Sequence, residues 1–165
     1  MTRQYTVVDS PYGALTLVAT DGVLSGLYMT DQRHRPDEET FGVPDTTPFT
    51  ETVRQLTAYF ARELTAFDVP MSLAGTAFQR SVWERLLAIP YGETRTYGEL
   101  AEELGNPNAS RAVGLANGKN PVSIIVPCHR VIGSTGSLIG YGGGLDRKQR
   151  LLAFESGAGP DQALF

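Results

Sequence analysis

The sequence predicts an α+β fold, with short strands in the first half of the chain and helices in the second. Before residue 30, apolar runs rich in β-branched and aromatic side chains alternate with turn residues, which is typical of strands. From residue 50 onwards, apolar residues recur at helical spacing, and capping sequences precede several segments. The 165 residues are enough for two small domains, which we expect at 1–75 and 76–165.

The first domain is predicted to be a small antiparallel sheet with one helix. Strands are expected at residues 5–8, 15–19 and 23–29, and Asp21-Gly22 is a hairpin signal between the last two. The polar residues 30–48, with three prolines, predict a solvated surface loop. His34 lies in that loop, and a lone histidine is a poor metal site because metals need several ligands.

A helix and a closing strand are predicted after the loop. The helix begins at Thr50, and its apolar face consists of residues at helical spacing. These are Val53, Leu56, Phe60 and Leu64, with Tyr59 alongside. Residues 67–71 are expected to form an edge strand, since Pro70 cannot donate a ladder hydrogen bond.

Two capping boxes predict helices in the second domain. Thr76 and Gln79 precede a helix that ends near Pro90, and Thr96 and Glu99 precede a shorter one. A third helix is expected at residues 109–118 with Asn108 as its cap, and the short connection predicts a helix-turn-helix.

The third helix carries two distinct faces. We expect Ala109, Ala112, Val113 and Ala116 to pack against the protein. The other face has small side chains, namely Ser110, Gly114, Asn117 and Gly118. Such a face can enter a confined groove or pack inside the protein, and the sequence leaves both open.

The last predicted helix, 146–155, ends in an acidic residue. Gly157 stops the helix, and Glu155 lies in its last turn, where the helix dipole disfavours a carboxylate. Either Glu155 has a specific role that explains this position, or it is an ordinary exposed glutamate at a frayed helix end.

The net charge of −4 is unevenly distributed. Residues 1–75 contain five Arg against ten Asp and Glu, whereas residues 76–165 contain nine Lys and Arg against eight Asp and Glu. The second half can therefore present a modest basic face to phosphates, with weak nonspecific affinity. No apolar stretch approaches the roughly 20 residues of a membrane helix and no secretory signal precedes the first strand, so we expect a cytoplasmic location.

Cys128, the one cysteine of the chain, is the first candidate for chemistry. It follows the apolar run 122–126 and precedes His129 and Arg130, whose charges can favour the reactive thiolate. Neighbouring residues do not present their side chains to each other, so we expect a water relay between His129 and the thiol. The alternative is a small buried hydrophobe. A lone cysteine forms no internal disulfide, which suits a reducing cytoplasm.

An ordered set of motifs in residues 76–157 resembles the O6-alkylguanine-DNA alkyltransferase family. The central motif, Val126-Pro127-Cys128-His129-Arg130-Val131, is similar to the family's active-site signature. The other motifs lie at residues 78–83, 90–94, 96–101, 111–114, 120–121 and 140–144. One short motif recurs by chance, but an ordered set is far more specific.

The resemblance implies both a fold and an activity. It implies a ribonuclease H-like first domain and a winged helix-turn-helix second domain. The implied activity is direct-reversal DNA repair, in which each molecule irreversibly moves one alkyl group from O6-alkylguanine to Cys128, with O4-alkylthymine left open as a further substrate. The implied partner is double-stranded DNA containing O6-alkylguanine, bound through the minor groove by a monomer, with cooperative binding left open. No cofactor, metal or membrane is implied.

The resemblance also assigns roles to residues. Cys128 accepts the alkyl group, His129 and Glu155 form a relay that activates it through a water, Asn120 is a hinge and Tyr97 donates a proton toward guanine. Arg111 fills the gap left by the extruded base. Further DNA contacts are assigned to Tyr97, Ser110, Ala112, Gly114 and Ser134. The base pocket is assigned to Pro127, Val131, Tyr141 and Gly142.

The sequence departs from the family pattern at two places. Gly142 stands where some family members have serine, which leaves only its backbone N–H for the guanine oxygen, and the first half has no cysteines for the zinc that some members bind. Residues 141–144 lack the ending of a phosphate loop, which excludes nucleotide hydrolysis.

One rival function is a noncatalytic module that binds alkylated DNA and recruits repair factors, which the cysteine disfavours. The other is a Cys-His hydrolase, for which we find no oxyanion-hole motif.

Overall fold

The first half of the chain folds around a four-stranded sheet. The computed structural model describes residues 2–136 and 144–157. The strands are β1 (Arg3–Val8), β2 (Leu15–Thr20), β3 (Val23–Met29) and β4 (Val43–Pro44). Their order is β3-β2-β1-β4, and the first three pair antiparallel while β4 adds a short parallel edge to β1. The three predicted strands are therefore confirmed.

The hairpin between β2 and β3 forms where the sequence places it. Asp21 and Gly22 have φ of 49° and 82°, the left-handed conformation that a tight two-residue turn requires. The pairing of β2 with β3 shifts register between Val18 and Ala19. Leu15 and Leu17 are fully buried on the inner face, and this face packs on the helices.

The segment between β3 and the first helix is more structured than predicted. Within 30–48 lie a 3-10 turn at Glu38–Phe41 and strand β4. Phe41 is buried against Tyr28, with stacked rings 5.6 Å apart, so the segment covers the outer face of the sheet. His34 is exposed, as predicted.

The expected edge strand at 67–71 is wrong. Only Met71 reaches the sheet, through an isolated bridge to Leu24 on the edge of β3. Pro70 cannot donate a ladder hydrogen bond, and further along the same edge Leu27 pairs with residues 121–123 instead.

The first helix, α1 (Thr50–Phe60), is shorter than predicted and differently oriented. It ends at Phe60 rather than reaching Leu64, because Arg62 has a φ of 63°. Its most buried side chains are Thr52, Gln55, Leu56 and Tyr59. Tyr59, expected only beside the apolar face, is instead at its centre with no exposed surface.

The second half is mostly helical, as predicted. Its helices are α2 (Ala77–Leu87), α3 (Tyr97–Glu103), α4 (Ser110–Gly118) and α5 (Leu145–Glu155). Both predicted capping boxes form, with reciprocal hydrogen bonds in the Thr76/Gln79 pair and in the Thr96/Glu99 pair. Helices α3 and α4 pack together as the predicted helix-turn-helix.

Helix α4 corrects two expectations. Ala109, not Asn108, precedes its first turn, and no side-chain hydrogen bond caps it. Ala112, predicted to pack, is exposed, whereas Asn117, predicted on the open face, is 1% exposed. The helix is therefore rotated so that Val113, Ala116 and Asn117 face the protein.

A two-stranded parallel ladder adds the wing. Strand β5 (Arg95–Thr96), just before α3, pairs with β6 (Val131–Ile132), just after Cys128. This ladder fixes the cysteine segment against the start of α3. In the described part of the chain, no helix is both long and apolar enough to cross a membrane.

Candidate active site

The segment before Cys128 is buried and anchored at both ends. Residues 122–126 are all buried, and the run pairs with the edge of β3 that faces away from β2, where Leu27 donates to Pro121 O and accepts from Ser123 N. The Asn120 side chain donates to Val126 O at 2.7 Å and accepts from Val122 N at 3.0 Å. Asn120 therefore closes the loop that presents Cys128.

Backbone strain marks the same loop. Ile124 has a φ of 72° although it is β-branched, and such a conformation is costly unless the surroundings hold it. Ile124 is 1% exposed, so the packing around it supplies that constraint. The packing thus holds the loop in one conformation, which fixes the position of the turn that begins at Cys128.

Cys128 begins a 3-10 turn and is only 4% exposed. Burial raises the pKa of its thiol to about 11, while Asn120 and the charge of Lys148 act in the opposite direction. The thiol is therefore neutral at rest, and a reaction through the thiolate requires a group that takes its proton.

His129 and Glu155 lie in contact, although 26 residues separate them. The His129 Nε2 atom is 2.9 Å from Glu155 Oε2, and both side chains are buried. Because a carboxylate only accepts, Nε2 carries the proton in this contact. Nδ1 is buried and has no hydrogen-bond partner within the described residues.

Two further residues hold Glu155. Arg130 donates from Nε to Oε1 at 2.7 Å and from Nη2 to Oε2 at 2.9 Å, and Tyr59 donates its hydroxyl to Oε2 at 2.6 Å. Burial alone would raise the pKa of Glu155, but His129 and Arg130 hold it well below its usual range. The carboxylate that looked misplaced at the end of α5 is thus a buried anion with a full set of donors.

Tyr97 lies on the other side of the thiol, in the first turn of α3. Burial raises its pKa to about 12, and the charge of Cys128 acts in the same direction. A side-chain Cβ at Gly114 would lie 3.8 Å from the Tyr97 ring, so α4 runs directly beside it. The hydroxyl keeps its proton at neutral pH and can donate it.

Lys148 completes this side of the site. It has no exposed surface, and its Nζ is 5.8 Å from the centre of the Tyr97 ring. Burial lowers its pKa to about 8, while the nearby Cys128 acts in the opposite direction. We expected Arg130 to favour the thiolate, but Arg130 is engaged with Glu155 and the cation that acts on the thiol is Lys148.

Both halves of the chain match family models. The model described as the 6-O-methylguanine DNA methyltransferase DNA binding domain matches residues 77–157. The model of the ribonuclease-like domain of the same family matches residues 4–73. The chain belongs to the 6-O-methylguanine DNA methyltransferase family. The expected resemblance is thereby confirmed, and the α+β architecture agrees with it.

Several relatives in this methyltransferase family are similar over nearly the whole chain. The methylated-DNA–protein-cysteine methyltransferase of Mycolicibacterium paratuberculosis is 59% identical over 92% of each chain. That of Methanosarcina acetivorans is 50% identical over 92% of this chain and 97% of the relative. The crystal structure of Mycobacterium tuberculosis OGT in complex with DNA has a TM-score of 0.90 and 55% identity, covering 98% of this chain and 99% of that one.

The residues that the methyltransferase resemblance assigns to DNA are all at least partly exposed. Arg111 and Ala112 are exposed on α4, Ser110 and Gly114 are partly buried there, and Ser134 is exposed after β6. The sequence did not single out Leu115, which is 66% exposed on the same helix. The outer surface of α4 is thus free to meet a partner.

The base pocket is described only in part. Tyr141 and Gly142 lie outside the described residues. Pro127 and Val131 are buried on either side of the Cys128 turn. Within residues 2–136 and 144–157, no group of three His, Cys, Asp or Glu side chains is placed to hold a metal ion.

Sequence reasoning missed two residues of the site, although each left a signal. Lys148 precedes Leu151 by three residues and Glu155 by seven, which places it on the buried face of α5. For Tyr59 the one signal is its position beside the apolar face of α1, and no nearby sequence pattern indicates its partner Glu155, 96 residues away. Arg130 was predicted to act on the Cys128 thiolate, but its guanidinium contacts Glu155 instead.

Proposed function

We propose that this member of the 6-O-methylguanine DNA methyltransferase family uses Cys128 as the acceptor that takes the alkyl group from O6-alkylguanine in double-stranded DNA. The observation that carries the assignment is the His129–Glu155 pair, which holds the residue after the chain's one cysteine with its Nδ1 buried and without a hydrogen-bond partner among the described residues. No other described thiol competes, because the sequence has none.

The proton of the thiol leaves through a water. Adjacent side chains diverge, so we infer one water between Cys128 Sγ and His129 Nδ1. As the proton moves to Nδ1, the ring becomes a cation that Glu155 stabilises through Nε2–H. Glu155 is already ionised, since its pKa lies well below the usual range, so it needs no proton change during the step.

Alkyl transfer then exchanges two bonds. The thiolate sulfur bonds to the alkyl carbon as the bond between that carbon and O6 breaks, and the electron pair of the broken bond leaves with guanine. Tyr97, whose pKa is raised to about 12, donates its proton to the departing base. The Lys148 ammonium stabilises both the thiolate and the tyrosinate that follows. The thioether is stable to hydrolysis, so each molecule acts once.

The DNA is proposed to lie along α4. Small and exposed residues on that helix, with Arg111 near its start, favour the minor groove, where little side-chain bulk is tolerated and an extruded base leaves a gap. We propose a monomer with 1–75 and 76–165 as its domains, and a cytoplasmic location that suits the single thiol.

The rival functions differ in what happens to Cys128. A noncatalytic binding module leaves the cysteine unmodified, and a hydrolase turns over many times. Neither explains why the thiol is buried close to a tyrosine that keeps its proton and to a buried lysine.

One experiment separates these outcomes. The protein is incubated with a duplex containing one O6-methylguanine, and the peptide that bears Cys128 is analysed by mass spectrometry. We expect one added methyl group per protein and none in Cys128→Ser, while Cys128→Ser still binds the duplex. An unmodified peptide, or more than one repaired base per protein, overturns the proposal.

A further inference from the structure

We propose that Tyr59, in the first half of the chain, is a positioning residue for alkyl transfer and acts through Glu155. The inference rests on the proposed function, because the relay it serves is the His129–Glu155 relay. It assigns to the ribonuclease-like half a direct part in the chemistry of the DNA-binding half.

The hydrogen bonds at Glu155 place Tyr59 at the critical oxygen. Oε1 accepts from Arg130, whereas Oε2 accepts from Tyr59 at 2.6 Å, from His129 at 2.9 Å and from Arg130 at 2.9 Å. Tyr59 therefore shares with His129 the one carboxylate atom that orients the imidazole. Its hydroxyl withdraws charge from the oxygen that faces the ring.

Tyr59 is itself fixed by packing, so its hydroxyl has one available direction. Its ring has no exposed surface and lies 5.2 Å from Phe67 and 5.5 Å from Phe154, between ring centres. Burial, followed by the charge of Glu155, raises the pKa of Tyr59 far above its ordinary range. The hydroxyl is thus a permanent donor.

A second contact ties the same two helix ends together. Just after α1, Arg62 donates to Phe154 O at 2.8 Å and stacks over the Phe154 ring at 4.1 Å. The end of α1 is thereby locked to the last turn of α5, which carries Glu155. A shift of the first half would move the carboxylate and, with it, the His129 ring.

The hydroxyl has a predictable effect on proton transfer. Without it, Oε2 keeps more negative charge and holds the protonated form of His129 more firmly, while the relay needs the neutral ring to accept the thiol proton. The acid limb of the pH–rate profile for Cys128 alkylation should therefore move to higher pH. One hydrogen bond to a charged group corresponds to a shift of about half a pH unit or more.

The test compares two tyrosines that differ in this contact. Tyr59→Phe keeps the ring and removes only the hydroxyl. Tyr12→Phe is the matched control, because Tyr12 is also buried in the same core but its hydroxyl has no hydrogen-bond partner among the described residues. The pH dependence of Cys128 alkylation is measured with iodoacetamide without DNA, and with a methylated duplex in single turnover.

We expect the acid limb of Tyr59→Phe to move up by about half a pH unit in both reactions, with the rate on that limb about threefold lower and DNA affinity unchanged. Tyr12→Phe should match the native protein. Identical profiles for the native protein and Tyr59→Phe, or the same shift in Tyr12→Phe, overturn the proposal.

A double-mutant cycle supplies the second readout. If Tyr59 acts through Glu155, adding Tyr59→Phe to Glu155→Gln should change the iodoacetamide rate by less than the single Tyr59→Phe change does. Additive effects overturn the inference. Because iodoacetamide needs no DNA, this result stands even if the duplex experiment rejects Cys128 as the acceptor for guanine.

Discussion

The two sides of the Cys128–His129 turn hold their ionisable groups in opposite states. On the relay side, hydrogen bonds from His129 and Arg130 overcome burial and keep Glu155 charged. On the thiol side, burial favours the neutral form of Cys128, Tyr97 and Lys148, with pKa values of about 11, 12 and 8. Hydrogen bonds therefore keep the carboxylate charged on one side, whereas burial opposes the charged form of all three groups on the other.

The difference indicates which buried groups raise the free energy of unfolding and which lower it. A buried anion with several donors is costly to disturb, because each donor loses its partner when the anion is removed. In a poorly solvated pocket, burying the neutral form of a group costs little free energy, whereas burying its charged form costs much more. Single substitutions on each side should accordingly have opposite effects on the free energy of unfolding.

Removing the charge of Glu155 should give the largest effect. Glu155→Gln leaves Arg130, only 7% exposed, without its counter-ion, so we expect a loss of about 3–5 kcal/mol in unfolding free energy. Alkyl transfer should slow more than DNA binding weakens. Urea unfolding and single-turnover rates measure both, and Glu93→Gln, which loses only an exposed ion pair with Arg95, is the control. A loss below about 1 kcal/mol would show that the relay side is not the stabilising one.

Acid should disturb the relay side without any substitution. Since Glu155 has a lowered pKa in the folded state, it contributes stability that is full above its usual value of 4.5 and is lost as pH falls toward the folded value. Between pH 5 and pH 3 the native protein should lose about 2 kcal/mol more than Glu155→Gln does. Equal losses in urea unfolding across this range would contradict the sign of the shift.

The contrast between the two sides also explains which parts of the site the sequence could predict. Cys128, His129 and Glu155 are identifiable because a contiguous motif or an unfavourable helix position marks each one. Tyr59 and Lys148 depend on which face of α1 and α5 is buried, and that is decided by packing between segments far apart in the chain. Local patterns carry no information about such partners.

The same distinction holds for the fold. Both capping boxes and the Asp21-Gly22 hairpin formed as predicted, because their hydrogen bonds lie within a few residues. Strand β4 was not predicted, and only the Met71 bridge of the strand predicted at 67–71 formed. Such short pairings depend on whether the edge of a neighbouring strand is available. Helix α1 ends four residues before the last apolar residue of its stripe, at a backbone turn that the periodicity does not show.

Lys148→Met tests the thiol side and should act in the opposite direction to Glu155→Gln. Because the folded pKa of Lys148 is about 8, its burial costs stability fully below that pH, and the cost is relieved as pH rises from 8 toward its ordinary 10.5. At pH 7 the variant should be more stable by about 1–2 kcal/mol, and this gain should narrow by pH 10. Its Cys128 should react about tenfold more slowly with iodoacetamide at pH 7.

Lys119→Met is the matched control, since Lys119 is the other lysine of the chain and is exposed. It should change neither the unfolding free energy nor the thiol reactivity measurably. If Lys148→Met is less stable than the native protein at pH 7, the buried lysine is a stabilising group and the two sides of the turn do not differ in the way proposed.

Arg111→Ala should leave both sides of the turn untouched and give the smallest change in free energy. Arg111 is exposed on α4, so its loss should not alter stability, and Cys128 should react with iodoacetamide at the native rate. The duplex, however, should bind about five- to tenfold more weakly, because the guanidinium no longer fills the gap left by the extruded base or meets the phosphates. Arg85→Ala, which removes the same charge from the exposed surface of α2, should bind nearly as the native protein does. Equal weakening in both variants would mean that Arg111 acts only through net charge, and a change in iodoacetamide reactivity would mean that the outer surface of α4 and the thiol are coupled even without DNA.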